Sequence, residues 1–579
     1  MKKYIITILL VAFSIQIGIC QDKSTMTNEG NIYKEDYIQA CKLISKNYIY
    51  LEKKLNKTRE EFLEESMNHA QTVDWSKGKS QFINQIRKLR AKFNDGHFSW
   101  SLGDDLCTNE YPKFLGFVLT IGADERVYVE KVYPNFTDKI SEGYEIVKWN
   151  GKDIGEEIER IGKVNPQSTK YATDEIAARR LIFELSNQPL IEDMKPVTIT
   201  YKDEKGIICD VTLNWKDCKA TVSKEKYNKL KDKYEDIILL TRSLMPSLEE
   251  IPEDVKYIHP SLLYYSREMN SKKYTILHPR DFFYWKMEDL DNTFKEIVNE
   301  KPDVLVVDLK DSAGGAFNQV LFLSNILNVQ KEFKFFYDKI HEETGLRLTG
   351  NDNFNFITDK INLNNVWKGD VIFRINPLTC SGGDFFARWM QLSNRGIIIG
   401  RPSAGAGGGT DGFTLDNTKT TIQFPLRERI IIGDDKSIEG NSVIPNTIYY
   451  GDLIDFLKEH GKEISDNDTG NISNEGHTID QLCDGVLSNN IELVNKIIAS
   501  SSVDINQKDS KGFYPIGMVL PMNNCEMAII LLDAGVNPHV VPRISDTKGK
   551  TVYDYVMSEE SDCSKYFKNI FKEHSKYKK

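Results

Sequence analysis

The sequence predicts a multidomain α/β protein. At 579 residues the chain exceeds the length that one hydrophobic core usually holds. Its apolar pattern changes along the chain from helical spacing to short strands, and then to strands that alternate with helices. Near the C terminus, short motifs return after 33 or 34 residues, which indicates an internal repeat. We therefore expect a helical region, a β domain, an α/β core and a repeated helical tail, in that order.

The composition narrows the classes of function. The hydrophobic content of 40% is ordinary for a soluble globular protein. A net charge of −10 without a strongly basic block argues against a nucleic-acid partner. The cysteines are scattered and have no paired spacing of the zinc-binding type, so we expect no metal and no cofactor. Cys209 and Cys218 are close enough to pair across a hairpin, and the sequence leaves that pairing open.

Residues 1–20 have the pattern of a secretory signal peptide. Two lysines precede an apolar run from Ile5 to Ile17, and Gly18-Ile19-Cys20 offers a small-x-small cleavage site. No later apolar stretch reaches the length of a membrane span. We expect an exported protein, periplasmic or extracellular. Lipid attachment through Cys20 is the alternative. It ranks second because a lipobox has a small residue at the position that Ile19 occupies.

Residues 21–100 are predicted to form an N-terminal helical domain, because apolar side chains recur at helical spacing. The domain ends at Asp95-Gly96-His97, where a strand should follow. A histidine at such a junction is a candidate general base, since its ordinary pKa lies near neutral pH. The alternative is a purely structural histidine, which is the commoner case for a lone His.

Residues 101–218 have the sequence pattern of short β-strands separated by turns. Val127–Val132 is one such run, and Gly143–Gly151 closes in an Asn-Gly turn. Together with Phe114-Leu115-Gly116-Phe117, this segment resembles a PDZ domain. The resemblance implies that the amides of Leu115, Gly116 and Phe117 hold a peptide carboxylate while the peptide adds as a strand. The alternative is a domain that only covers the active site.

Residues 219–272 are charged and are expected to form a linker or a lid, and residues 273–462 to form the α/β core. In the core, Val304–Leu309 reads as a central parallel strand that runs into Gly314 and Gly315. Glycines at the end of a buried strand let a backbone amide approach a ligand closely. Either glycine could therefore supply a donor to an oxyanion.

A second strand-to-helix turn in the core carries the candidate nucleophile. The apolar strand Val371–Ile375 stops at a proline turn, and Ser381 follows before a helix that should begin near Asp384. The amides of Gly382 and Gly383 would lack helical partners there, and the positive end of the helix dipole would face an oxyanion beside Ser381.

The order of these motifs resembles the tail-specific, or C-terminal processing, serine peptidase family, and the similarity covers about residues 30–455. It implies a ClpP/crotonase-like α/β peptidase core and an exported serine endopeptidase that acts on polypeptides through an acyl-enzyme. One branch of the family uses a lysine soon after the serine, but residues 398–409 contain none. The tricorn-core branch uses a histidine and a later glutamate, and Glu439 lies in a similar Glu-Gly-x-x-Val-x-Pro stretch.

The resemblance therefore assigns Ser381 as nucleophile, His97 as base and acid, and Glu439 as the orienting carboxylate. Gly382 with Gly314 or Gly315 would supply the oxyanion donors. The chain departs from the tricorn branch at Gly96, where that branch can carry a hydroxyl, so Glu439 would act through water or another hydroxyl. The alternative is a catalytically inactive secreted protein that binds peptides or a small ligand.

The C-terminal segment begins with a polar stretch, residues 463–476, expected to be a linker. In residues 477–579, Val503-Asp504-Ile505-Asn506 returns as Val536-Asn537-Pro538-His539, 33 residues later. The period and the Asp-Ala-Gly-Val-Asn-Pro motif resemble ankyrin repeats. The resemblance implies recognition of a protein partner, and the alternative is an appendage that stabilises the rest of the chain.

Overall fold

The computed structural model describes a defined part of the chain. It covers residues 29–572 except 108–111, 134–135, 186, 191–193, 218–255, 260–261, 284, 328–333, 341–346, 354–364, 432–435, 467–477, 488–489, 501–502, 510–511, 521–524, 542–549, 559–567 and 569–570. The expected signal peptide, residues 1–20, therefore lies outside the described residues. The chain divides into two compact units, one running to residue 397 and including 402–443, the other made of 398–401 and the residues from 444 onward.

The first unit begins with a helical bundle. Its helices are α1 (Glu29–Asn47), α2 (Leu51–Leu55), α3 (Arg59–Thr72) and α4 (Gly78–Ala91). Thr58 caps the N terminus of α3, because its hydroxyl accepts the Glu61 amide while the Glu61 carboxylate accepts the Thr58 amide. The buried face of the bundle is rich in aromatic rings, and it packs against Phe424 and Leu426 of the α/β core. Leu51 of α2 belongs to the same buried cluster, so α2 lies beside the core.

The next segment has the strand pattern that the sequence predicts, interrupted by two helices. Its elements are β1 (Ser99–Ser101), β2 (Lys113–Phe114), β3 (Phe117–Ile121), β4 (Val127–Val132), β5 (Glu145–Trp149), β6 (Lys152–Asp153), α5 (Ile154–Val164), α6 (Lys170–Ile182), β7 (Phe183–Glu184), β8 (Val197–Lys202), β9 (Ile208–Leu213) and β10 (Lys216–Asp217). The main sheet has the order β3-β4-β5-β8-β9, with β6 beside β5. The expected Asn-Gly turn is confirmed, since Asn150 and Gly151 have φ of 50° and 81°. Strand β3 lies at the edge of this sheet. Cys209 is a free cysteine among the described residues, whereas Cys218, its possible partner in the sequence, lies outside them.

The α/β core contains the predicted buried parallel strand. Its elements are β11 (Lys256–His259), β12 (Leu262–Met269), β13 (Lys272–Pro279), α7 (Met287–Glu300), β14 (Val304–Asp308), α8 (Phe317–Ile326), β15 (Lys334–Ile340), β16 (Arg347–Asn353), β17 (Asp370–Ile375), α9 (Gly382–Leu392), β18 (Ile397–Gly400), β19 (Gly409–Thr414) and β20 (Thr421–Ile431). All five residues of β14 are buried, and β13, β14 and β17 are parallel neighbours. The carboxyl ends of β14 and β17 therefore meet at one edge of the sheet. That edge brings together the two turns in which the sequence places the candidate chemistry.

A second sheet links the His97 segment to the core. Its order is β1-β20-β15-β16, with β19 also paired to β20. Strand β1 begins two residues after His97, and its Ser99 pairs with Gln423 of β20. The register of this short pairing fixes where the Asp95-Gly96-His97 turn lies.

Two expectations about element boundaries are corrected. The expected linker at residues 219–272 ends earlier, because β11 and β12 already belong to the core sheet, whereas residues 218–255 lie outside the described part. Asn270 and Ser271, with φ of 53° and 62°, form the turn that connects β12 to β13. The sequence did not predict β12 as a core strand, because its end is charged although Leu262–Tyr264 at its start are buried. The helix expected near Asp384 begins at Gly382 instead, so its first turn includes both glycines.

The second unit is described by itself. Strand β18 pairs in parallel with β21 (Thr447–Ile448), and helices follow. These helices are α10 (Leu453–Asp466), α11 (Ile479–Leu487), α12 (Ile491–Ser500), α13 (Cys525–Asp533) and α14 (Val552–Met557). Leu482, Val494, Val519 and Leu531 belong to one buried cluster. Helix α10 extends into the segment expected as a linker, of which residues 467–476 lie outside the described part. Among the residues that the structure describes in both units, no helix is long and apolar enough to cross a membrane.

Candidate active site

Ser381 lies directly before helix α9 in a conformation that side chains other than glycine rarely adopt. Its φ is 55° and its ψ is −118°. Such a conformation costs about 1–3 kcal/mol and persists only where the surroundings hold it. Here the Ser381 amide donates to the carbonyl oxygen of Ala406 at 3.0 Å, and the Phe385 amide donates to the Ser381 carbonyl at 3.0 Å. Ser381 is partly exposed, so its hydroxyl lies on a held turn at an accessible helix end.

Two glycine turns meet beside this serine. Gly314 has φ of 74°, and a Cβ atom there would lie 2.4 Å from the Cys380 oxygen, 2.5 Å from the Ser381 Cβ and 2.6 Å from the Gly382 nitrogen. Only glycine permits that approach. The Gly315 nitrogen would lie 2.9 Å from a Cβ placed on Gly382. Within the described part of the chain, the amides of Gly315 and Gly382 donate to no backbone carbonyl. The structure thus brings the predicted oxyanion residues of both loops together.

His97 is held by the turn that precedes it. One carboxylate oxygen of Asp95 accepts the His97 amide at 2.7 Å, and the other accepts the Tyr48 hydroxyl at 2.7 Å. His97 is 8% exposed, and among the residues that the structure describes its buried Nδ1 atom has no hydrogen-bond partner. Burial lowers the pKa of His97 below its ordinary value of 6.5, although the charge of Asp95 opposes this shift. A neutral imidazole able to accept a proton is therefore the main form at neutral pH.

Glu439 is almost fully buried and is bound from three directions. Its Oε1 atom accepts from Lys54 Nζ at 2.5 Å, and its Oε2 atom accepts from Ser168 Oγ and the Gly407 amide, both at 3.0 Å. Burial, followed by the charge of Asp95, raises the pKa of Glu439 to about 8, and Lys54 opposes the rise. Sequence reasoning named Glu439 but missed Lys54 and Ser168, which lie 385 and 271 positions away in the chain.

A short segment of the chain joins the serine to the glutamate. Ala406 accepts the Ser381 amide, and the next residue, Gly407, donates to Glu439. Single side-chain atoms of Asp95, His97 and Glu439 all lie within 4.8 Å of one another. A Cβ atom on Gly96 would lie 3.3 Å from that of Ala406. The loops that carry Ser381, His97 and Glu439 are therefore assembled around residues 406–407.

The group formed by Asp95, His97 and Glu439 has ligand types that divalent cations use. Its charge, however, is already balanced by an ammonium group, because Lys54 Nζ lies 2.5 Å from Glu439 Oε1. A cation placed among these three side chains would face that ammonium at close range. The residues therefore do not fit a resident metal ion.

Asp384 organises the loop behind the serine. Its buried carboxylate accepts the Ser403 hydroxyl and the amides of Gly405 and Ala406, the last two at 3.1 and 3.0 Å. Burial raises the pKa of Asp384 to about 7, and these hydrogen bonds oppose the rise. The sequence marked Asp384 only as a helix start. Its role in fixing the 403–406 loop was not foreseen, because the loop partners come from a distant segment.

The loop that the resemblance assigns to peptide binding is covered by the chain itself. Leu115, Gly116 and Phe117 are all buried. The Leu115 amide donates to the Ile182 carbonyl at 3.1 Å, and a Cβ atom on Gly116 would lie 2.5 Å from the Phe136 Cβ. In this conformation, the Leu115 amide is not available to a carboxylate. Strand β3 beside it nevertheless remains at the edge of its sheet.

Helix α6 is tied to the turn that follows β14. Arg179 Nη2 lies 3.3 Å from carboxylate oxygens of Glu130 and Asp311, and Asn376 Nδ2 donates to Asp311 at 2.7 Å. Burial would raise the pKa of Asp311, but Arg179 and then Lys310 hold it well below its ordinary value. An ionised network thus joins the β domain to the two turns of the candidate site.

The described chain joins an α/β core, which carries Ser381 at a strained strand-to-helix turn, to a β domain whose main sheet has five strands in a row. Comparison with known families is consistent with both parts: residues 274–449 match peptidase family S41, and residues 111–228 match a PDZ domain. The chain therefore contains a family S41 peptidase domain and a PDZ domain.

Individual relatives extend this comparison. The Tail-specific protease of Haemophilus influenzae is 24% identical over 210 residues, which is 34% of this chain and 28% of that protein. This chain thus matches little more than a quarter of the length of that relative. The crystal structure of mature CPAF is similar with a TM-score of 0.58 at 14% identity, covering 77% of this chain and 100% of the other. The complex of mature CPAF with lactacystin gives a TM-score of 0.57 at 14% identity and 76% and 100% coverage. At these identities, the two structures show a shared fold.

Proposed function

We propose that this chain is a serine endopeptidase that hydrolyses unfolded or C-terminally recognised polypeptides through an acyl-enzyme. The observation that carries the proposal is the strained Ser381 directly before α9, beside the amides of Gly315 and Gly382, which make no backbone hydrogen bond within the described residues. Strain of this kind is retained at functional sites. The family S41 match and the similarity to a tail-specific protease support the same reaction.

In the proposed reaction, the Ser381 hydroxyl attacks the peptide carbonyl carbon while His97 takes its proton. The amides of Gly382 and of Gly314 or Gly315 donate to the resulting oxyanion, and the positive end of α9 stabilises its charge. His97 then gives the proton to the leaving amine. A water molecule, deprotonated by His97, then attacks the acyl carbon, and His97 returns that proton to Ser381 Oγ as the acyl–serine bond breaks. Glu439 stabilises the protonated imidazole and orients the ring.

The PDZ domain would select the substrate. A polypeptide could add as a strand along the edge of β3 if the Leu115 amide exchanged its Ile182 partner for the carboxylate of the peptide. This exchange requires a movement of the segment after α6. We propose Leu115, Gly116 and Phe117 as the peptide-binding residues of that open conformation.

The remaining expectations extend the proposal beyond the peptidase domain. We propose export to the periplasm or the exterior through residues 1–20, and an ankyrin-type tail that contacts a protein partner. The repeated turn supports the tail assignment, because Asp504 and Asn537, 33 residues apart, each accept the amide two residues later, at 3.1 and 2.9 Å.

Hydrolysis of an unfolded protein substrate by the wild type, Ser381→Ala and His97→Ala tests the proposed function. We expect the wild type to cleave the substrate and both variants to lose at least about 1,000-fold in kcat, as triad removal does elsewhere. Covalent labelling by a serine-reactive phosphonate should likewise require Ser381. A folded wild type that binds peptides but hydrolyses no faster than Ser381→Ala would instead establish a binding protein.

A further inference from the structure

We propose that Ser168, which belongs to the PDZ domain, is a positioning residue of the catalytic centre. Its hydroxyl holds the Glu439 carboxylate toward His97, and this role rests on the proposed peptidase function. The residue lies in the connection between α5 and α6, far in sequence from the other members of the site.

The hydroxyl of Ser168 bridges the two sides of the site. It accepts the Gly96 amide at 2.9 Å and donates to Glu439 Oε2 at 3.0 Å. One hydroxyl therefore links the loop of His97 to the carboxylate that faces the imidazole. Because Ser168 Oγ donates its proton to Glu439, it can only accept from the Gly96 amide. The two hydrogen bonds therefore fix the orientation of the Glu439 carboxylate relative to the Gly96 backbone.

Position 96 is closely surrounded. A Cβ atom on Gly96 would lie 3.2 Å from Gln167 Oε1, 3.3 Å from the Ala406 Cβ and 3.4 Å from Ser168 Oγ, so a side chain there would be in contact with the Ser168 hydroxyl. The chain thus supplies from position 168 a hydroxyl that position 96 lacks.

The loop around Ser168 is held on both sides. The Arg90 guanidinium donates to the Pro166 carbonyl, and the Thr169 hydroxyl donates to the Ala404 carbonyl at 3.0 Å. Thr169 also caps α6 through the Ala172 amide. These contacts place Ser168 without help from Glu439, so its hydroxyl is preorganised rather than drawn in by the carboxylate.

The Ser168 hydroxyl contributes differently to holding Glu439 than the other two donors, Lys54 and the Gly407 amide. Lys54 binds Oε1, whereas Ser168 shares Oε2 with the Gly407 amide. Without Ser168, the carboxylate keeps its charge partner but loses one of two bonds that fix the rotation of Oε2. A hydrogen bond to the charged form also favours ionisation, so its loss should make Glu439 harder to deprotonate.

Steady-state hydrolysis by the full chain, measured across pH, tests this role with the variants Ser168→Ala, Ser168→Thr and Gln167→Ala. We expect Ser168→Ala to lower kcat about tenfold, with KM within about twofold, and to move the acidic limb of kcat/KM about half to one unit higher in pH. Ser168→Thr retains the hydroxyl and should recover most of kcat. Gln167→Ala truncates the neighbouring side chain, whose one hydrogen bond among the described residues goes to the Asn165 carbonyl, and should match the wild type.

These measurements distinguish failure of the Ser168 positioning role from failure of the proposed peptidase function. If the wild type is active and Ser168→Ala keeps both its kcat and its acidic limb, Ser168 has no positioning role while the peptidase function stands. Equal losses in Ser168→Ala and Ser168→Thr would likewise overturn the role, because the hydroxyl would not matter. A wild type no more active than Ser381→Ala would refute the peptidase function, and this inference with it.

Discussion

Replacing Lys54 with methionine removes a buried charge while keeping most of the side-chain stem. In the wild type, Lys54 Nζ lies 2.5 Å from Glu439 Oε1, and the two side chains are 14% and 0% exposed. Breaking a buried ion pair from one side costs about 3–5 kcal/mol when the remaining charge cannot be neutralised. Glu439 can take up a proton, so we expect the cost to depend on pH.

The sign of that dependence follows from the pKa of Glu439. Its folded value, about 8, lies above its ordinary value of 4.5, so between these values the folded state binds a proton that the unfolded state does not. The free energy of unfolding therefore falls as pH rises through this window. Without Lys54, the folded pKa rises further and the fall continues above pH 8. An additional shift of one to two units would add about 1.4–2.7 kcal/mol of destabilisation at high pH.

Urea unfolding at pH 5 and pH 9, followed by the fluorescence of the buried Trp75 and Trp100 in the bundle cluster, measures this difference. The matched control is Lys57→Met, which removes an ion pair with Glu65 whose side chains are 41% and 54% exposed. An exposed pair contributes only about 0–1 kcal/mol, with little change across this range. The reasoning fails if Lys54→Met loses the same free energy at both pH values, or no more than Lys57→Met at pH 9.

Two further predictions concern catalysis. The value of kcat/KM should keep rising to about pH 8, because Glu439 loses its proton near that pH. His97 does not limit the rise, because its lowered pKa leaves it neutral well below pH 8. A plateau reached by pH 7 would contradict this prediction. Gly314→Ala should lower kcat at least about 100-fold, because its Cβ would lie 2.6 Å from the Gly382 nitrogen, whereas Gly143→Ala, with φ of 84° and open space around it, should leave kcat unchanged. Comparable activity of these two variants would show that the Gly314 turn does not shape the oxyanion site.

The sequence predicted the parts of the fold that depend on local signals. The buried strands at Val304 and Val371 are short apolar runs, and the glycines after them mark turns whose geometry only a few residues permit. These signals were enough to place Ser381, Gly314 and Gly382 at strand-to-helix turns. The family resemblance, rather than any local pattern, pointed to His97 and Glu439.

The partners of Glu439 could not be predicted in the same way. Lys54 and Ser168 belong to residue types that are usually exposed, and nothing in their neighbouring sequence marks them as buried partners of a distant carboxylate. Their roles exist only after the bundle and the PDZ domain have packed against the core. The closed carboxylate loop at Leu115 was missed for the same reason, since Ile182 reaches it through tertiary packing.

The wide spacing of the site along the chain affects when activity can arise. Lys54 and Glu439 touch across 385 positions, and Ser168 and Ser381 come from between them. No fragment much shorter than this span contains the whole set, and closing such long loops is a late and slow event in folding. On the proposed peptidase function, a newly made chain would therefore be unable to cut itself or its neighbours until the bundle, the PDZ domain and the core have packed together. The long separation would then delay proteolysis until folding is complete.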